Sequence, residues 1–204
     1  YETSPGSVGL TRKNRDAILG REDEYDLIIH SAFNTKNAGR NKVDDYFKFV
    51  DDNILLTNEL VSLNHKKFVY ISSIAVYDDV ITPYSQTKKF SESIVQKKSN
   101  NPLIIRCSSL LGRHMRPNTI TKLIQENNPK ITLSKDSTYN FIRHKDVTDF
   151  ILKSYESNVS GVFDFVASDY LNLKDIAEHL SANVNFGEYT FKTNKISNQA
   201  LTST

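Results

Sequence analysis

Short apolar runs alternate with longer amphipathic stretches along the chain, the pattern of βαβ units built around a mostly parallel sheet. Tyr25-Asp26-Leu27-Ile28-Ile29-His30 reads as a strand. Val43, Phe47, Val50, Ile54, Thr57 and Val61 then recur at spacings of 4, 3, 4, 3 and 4, which predicts a long helix over about 42–64 with this stripe packed on the sheet. Lys67-Phe68-Val69-Tyr70-Ile71 is a buried-type strand that stops at Ser72-Ser73. A loop to Pro83, a helix from Tyr84 to about Lys98 and a strand Pro102–Arg106 after the Asn100-Asn101 turn complete a second βα step.

Beyond Gly112 the pattern loosens. It predicts a helix at Thr119–Glu126, a strand near Lys130–Leu133 and a helix from Lys145 with Val147, Phe150 and Ile151 inward. A strand Gly161–Val166 follows, then a helix capped by Asn172 with Leu173, Ile176, Ala177 and Leu180 on one face.

Composition narrows the function classes. At 204 residues the chain can fill one domain or a domain with a small lobe. Both charge signs are spread along it, 26 basic against 24 acidic residues, so no nucleic-acid footprint is expected. No apolar run approaches the roughly 20 residues that span a bilayer, and no membrane partner is expected. The five His residues show no helix-turn pair and Cys107 is the only Cys, which argues against a metal site and for a reducing, cytoplasmic setting. Cys107 itself reads as a small packing residue.

One spacing carries chemistry. Tyr84 and Lys88 lie one turn apart on a helix face, where the cation favours the phenolate of a group whose ordinary pKa is about 10. Tyr84 is therefore a candidate general acid/base. Ser73 ends the preceding strand, where ligands of open α/β sheets bind, and could hydrogen-bond the same substrate oxygen. Tyr170 and Lys174 repeat the spacing, but across a turn and helix start with no such strand before them.

With these pieces in order, the chain resembles the extended short-chain dehydrogenase/reductase family, the NAD-dependent sugar epimerases, dehydratases and reductases. Asp26–Ala32 is similar to the strand end beside the cofactor, Asn53 falls at a usual helix Asn, Phe68–Tyr77 resembles the strand bearing the catalytic Ser or Thr, and Tyr84-Ser-Gln-Thr-Lys88 matches the Tyr-Lys motif. Ile104–Gly112 looks like the segment entering the substrate loop, and Phe141–Val147 like the motif before a late helix.

The resemblance implies an α/β fold with a Rossmann-type doubly wound parallel sheet and a small C-terminal substrate lobe. Residues 1–112 would form the dinucleotide-binding portion, and 113–204 mainly the substrate-binding lobe, with late elements returning to the sheet. Ser73, Tyr84 and Lys88 would be catalytic. Ser31, Ala32, Tyr84, Lys88 and Arg12 would bind NAD or NADP, Arg12 as a cation for a 2′-phosphate. Ser73, Ser109 and Arg143 would bind a nucleotide-linked sugar. The implied activity is epimerisation or reduction at a sugar carbon, and a homodimer is left open.

Departures from the family pattern shape the alternatives. No complete glycine-rich phosphate loop precedes Tyr25, and Gly6-Ser-Val-Gly9 matches only its first half, so the first βαβ unit is expected to be missing from this sequence. A non-catalytic binding or regulatory relative is the alternative. Ile74-Ala75 replaces the acidic pair that dehydratases carry after the catalytic Ser or Thr, which disfavours dehydration. Ser73 lies outside any Gly-x-Ser-x-Gly elbow, which disfavours a serine hydrolase.

Overall fold

The structure, a computed structural model, describes residues 6–34, 38–39, 42–43, 45–113 and 115–202. The chain forms two compact units, Tyr1–Tyr70 with Ile81–Leu103, and Ile71–Val80 with Ile104–Thr204.

In the first unit, α1 (Arg15–Leu19) precedes β1 (Tyr25–His30), and β2 (Ala38–Gly39) pairs antiparallel with β3 (Lys42–Val43). A helical stretch follows as α2 (Tyr46–Val50), a π-helical segment (Asp51–Leu55) and α3 (Leu56–Ser62). β4 (His65–Ser73) lies parallel to β1, with Tyr25 opposite His65 and His30 opposite Tyr70. A 3₁₀ turn (Ile74–Tyr77), α4 (Pro83–Lys98) and β5 (Pro102–Cys107) come next, and β4 and β5 each run from the first unit into the second. Phe68, Val69, Tyr70, Val95 and Leu103 are fully buried here.

The second unit continues with β6 (Ser109–Leu111), α5 (Thr119–Gln125), β7 (Thr138–Tyr139), β8 (Phe141–Arg143), α6 (His144–Glu156), β9 (Gly161–Phe165), β10 (Leu171–Asn172) and α7 (Leu173–His179). Ile120, Leu123, Ile131, Leu173 and Ala177 form its lobe core, with Val184 and Phe186 packed against them. The central sheet has the order β1-β4-β5-β9, a Rossmann-like α/β arrangement in which spatial order follows chain order. Among the described residues no strand precedes β1.

Three expectations need correction. Val43 belongs to β3 rather than to the helix, and Phe47 is 89% exposed. Thr57 and Val61 of the expected stripe are buried, but ahead of them the buried face runs through Phe49 and Asn53, because the π-helical segment inserts a wider turn and rotates the stripe. Residues 130–133 make no ladder strand; Lys130 and Leu133 form isolated bridges to Asn185 and Tyr189. Leu180 is exposed, since α7 ends at His179, and Asn172 sits at its N-cap without a side-chain cap bond.

Candidate active site

The placement of Tyr84 and Lys88 begins with the cap of α4. Thr82 Oγ1 accepts from the Ser85 amide at 3.1 Å, and Ser85 Oγ accepts from the Thr82 amide at 3.0 Å. This reciprocal box, with Pro83 at a position that needs no amide partner, starts the helix one residue ahead of Tyr84. Tyr84 is half-buried in the first turn and Lys88 is buried one turn later.

Aromatic rings face the Lys88 ammonium. Its Nζ lies 4.9 Å from the centroid of Phe33 and 4.8 Å from that of Tyr70, where the negative face of each ring attracts a cation. Phe33 also meets Tyr84 edge-on, with centroids 4.9 Å apart and planes at 78°. One side chain therefore touches both members of the Tyr-Lys pair.

Phe33 lies in the segment after β1, and Asn53 pins that segment. The Asn34 amide donates to Asn53 Oδ1 at 2.8 Å, and Asn53 Nδ2 donates to the Asn34 carbonyl at 3.2 Å and to the Phe49 carbonyl at 3.0 Å. Asn53 is 2% exposed within the π-helical segment, whose irregular geometry turns its carbonyl toward side-chain donors: Thr57 Oγ1 at 2.6 Å and Ser91 Oγ at 3.4 Å.

His30 closes this buried polar cluster. Its Nε2 lies 2.9 Å from Thr57 Oγ1. Thr57 spends its one proton on the Asn53 carbonyl, so Nε2 carries the hydrogen in the His30 bond. Burial first, and the Lys88 charge second, push His30 down to about 3, so the imidazole is neutral at pH 7. Burial also pushes the Tyr70 phenol well above its ordinary range.

The remaining sequence candidates fall in several places. Ser31 and Ala32 are exposed in the segment that leads to Phe33. Arg12 is exposed and pairs with Asp52 at 3.1 Å. Burial raises that carboxyl, but the Asn34 hydrogen bond and the charges of Lys48 and Arg12 outweigh it and hold Asp52 below the usual range. Ser73 belongs to the second unit, where its Oγ accepts from the Ala75 amide at 3.2 Å and so keeps its own proton for another acceptor. Ser109 and Arg143 lie on the parallel pair β6 and β8, opposite Phe141 and Leu111. The Arg143 guanidinium is bidentate on Asp146. Tyr170 spends its hydroxyl on the backbone of Asn194 and Ile196, a structural role for the Tyr of the repeated spacing.

Phe33 is the residue that sequence reasoning passed over. An aromatic three places past a strand's carboxyl end was the available signal, because that is where ligands of such sheets bind. Among the described residues no group of His, Cys, Asp and Glu could hold a metal ion, and no helix is long and apolar enough to cross a membrane.

Comparison with known proteins supplies the family. No curated protein matches the sequence. Among solved structures, UDP-glucuronic acid 4-epimerase from Bacillus cereus, solved as a point mutant with UDP-4-deoxy-4-fluoro-glucuronic acid and NAD, is 20% identical with a TM-score of 0.73, covering 93% of this chain and 71% of its own. RMD from Pseudomonas aeruginosa, complexed with NADPH, is 17% identical with a TM-score of 0.73, covering 87% and 74%. A dTDP-4-dehydrorhamnose reductase from Clostridium acetobutylicum is 18% identical with a TM-score of 0.66, covering 81% and 65%. At these identities the likeness establishes the fold. Residues 7–166 match the NAD dependent epimerase/dehydratase family, and the chain belongs to that family.

Proposed function

We propose that this protein is an NAD(P)-dependent nucleotide-sugar epimerase or reductase in which Ser73, Tyr84 and Lys88 carry the proton chemistry. The observation that supports this best is the shared setting of Tyr84 and Lys88, a phenol and a buried ammonium against the one ring of Phe33. Structural relatives that act on or bind UDP- and dTDP-linked sugars support the substrate class.

NAD or NADP would supply the hydride acceptor or donor when bound. In the oxidative direction Tyr84 Oη takes the proton of the sugar hydroxyl, and in the reductive direction it gives that proton back. The Lys88 charge favours the phenolate that takes up the proton, and Lys88 would also hold the ribose hydroxyls of the cofactor. Ser73 Oγ–H donates to the same sugar oxygen and fixes its position. Tyr84 and Lys88 would face the nicotinamide and ribose half of the dinucleotide. Among the described residues no complete glycine-rich loop stands before β1 to cradle the pyrophosphate. Arg12, exposed and paired through one nitrogen with Asp52, keeps further guanidinium donors that would meet a 2′-phosphate if NADP is the cofactor.

A cytoplasmic location rests on the lone, buried Cys107. Exposed rings at Tyr46, Phe47 and Phe90 support a homodimer, which light scattering would reveal.

The decisive variant is Tyr84→Phe, assayed with UDP-glucuronic acid, UDP-glucose and a dTDP-4-keto sugar. Turnover should fall by roughly 100-fold or more while the melting temperature holds, the range expected for loss of a general acid/base. Unchanged turnover would sink the assignment. Titration with NAD(H) and NADP(H) separates the enzyme from a non-catalytic relative, which would bind neither.

A further inference from the structure

Ser73 stands at the N-cap of the 3₁₀ turn Ile74–Tyr77, and the turn is tied at both ends. At its start, Ser73 Oγ accepts from the Ala75 amide at 3.2 Å; at its close, the Asp78 amide donates to the Ala75 carbonyl at 3.2 Å. Where the Ser73 hydroxyl sits therefore depends on where the turn sits. Four residues of 3₁₀ helix hold little intrinsic stability, so side chains must decide its place.

The last residue of the turn is gripped from two strands. The Tyr77 hydroxyl donates to the Asp164 carboxylate, whose oxygens lie 3.0 and 2.9 Å away, and it accepts from Arg106 Nη1. Arg106 also lies against the Tyr77 ring, its guanidinium carbon 5.0 Å from the centroid, and its Nη1 is 3.7 Å from Asp164. Arg106 belongs to β5 and Asp164 to β9, neighbours in the sheet. The backbone is held as well: Asn194 Nδ2 donates to the Tyr77 carbonyl at 3.2 Å and to Asp78 Oδ1 at 3.3 Å. All of these residues lie in the second unit.

We propose that Tyr77, Arg106 and Asp164 are positioning residues for the hydroxyl of Ser73, acting through the 3₁₀ turn. Two sheet strands set the charged pair, the pair sets the phenol, and the phenol sets the turn that carries Ser73. The inference rests on the reading of Ser73 as the residue that binds the reacting oxygen. It adds three residues to that reading, none of which would touch the reacting atoms.

The test uses Tyr77→Phe, which keeps the ring against Arg106 and deletes only the hydroxyl, and Asp164→Ala as a second, independent break. Amide hydrogen exchange of Ala75 and Asp78 should quicken by about 10-fold or more in both variants, while amides of the sheet core keep their rates. Unchanged exchange at the turn in both variants would overturn the proposal. With UDP-glucuronic acid or UDP-glucose as substrate probe, Tyr77→Phe should lower kcat by about 5- to 20-fold, and the double variant Ser73→Ala/Tyr77→Phe should be no slower than Ser73→Ala alone. Losses that multiply instead would mean that Tyr77 does not act through Ser73, and the proposal falls. If the wild-type protein turns over none of the sugars, the functional reading fails on its own and the exchange measurement still decides whether Tyr77 controls the turn.

Discussion

The ring of Phe33 stands edge-on to that of Tyr84, 4.9 Å between centroids, and presents its face to the Lys88 ammonium at the same distance. A loop residue outside the family motif thus braces both members of the Tyr-Lys pair. Its own position comes from Asn53, which exchanges hydrogen bonds with the Asn34 backbone next door.

Replacing Phe33 by Leu keeps an apolar side chain but removes the π face beneath a buried cation, a contact worth about 1–2 kcal/mol. Spread onto the transition state, that is a loss of roughly 5- to 30-fold in kcat/KM. Steady-state kinetics checks it, and a Leu variant at wild-type efficiency would mean that the ring is packing alone.

The neutral state of His30 makes stability depend on pH. Its pKa in the folded chain, about 3, lies below the ordinary 6.5. Above 6.5 both folded and unfolded chains hold the imidazole neutral and its contribution is fully present. Between 6.5 and about 3 the unfolded chain takes up a proton that the folded chain refuses, so stability falls as pH falls, by up to about 1.4 kcal/mol per unit. Urea midpoints at pH 7, 6 and 5 should show the wild-type protein losing more than His30→Gln, and parallel curves would contradict the buried neutral imidazole.

Thr82→Ala removes half of the capping box at the turn that carries Tyr84. A cost of about 1 kcal/mol is expected. Because the first turn of α4 carries Tyr84, activity should drop more than the loss of stability alone would suggest. Thermal melts paired with kinetics would show it, and Thr82→Ser should restore both.

Much of the fold was legible because its signals are local. The apolar runs at 25–30 and 67–71 are strands, and the Tyr84-to-Lys88 spacing on an α-helix is as expected. The inward face of the helix before β4 was misread at Phe47, because a π-helical turn changes the phase of the stripe and leaves no period of its own in the sequence. The run at 130–133 has strand composition yet makes only single bridges, since pairing depends on a partner more than fifty residues away.

By itself the sequence determined the order of the βα units, the Tyr-Lys spacing and the start of α4, all set by period, side-chain branching and capping within a few residues. Only the tertiary structure decided that Phe33 and Tyr70 face Lys88, that His30, Thr57 and Asn53 join in one buried hydrogen-bonded cluster, and that Arg106 and Asp164 grip Tyr77. Those contacts join residues far apart in the chain. They depend on burial, which gives hydrogen bonds and cation–π contacts their strength and has no local mark in the sequence.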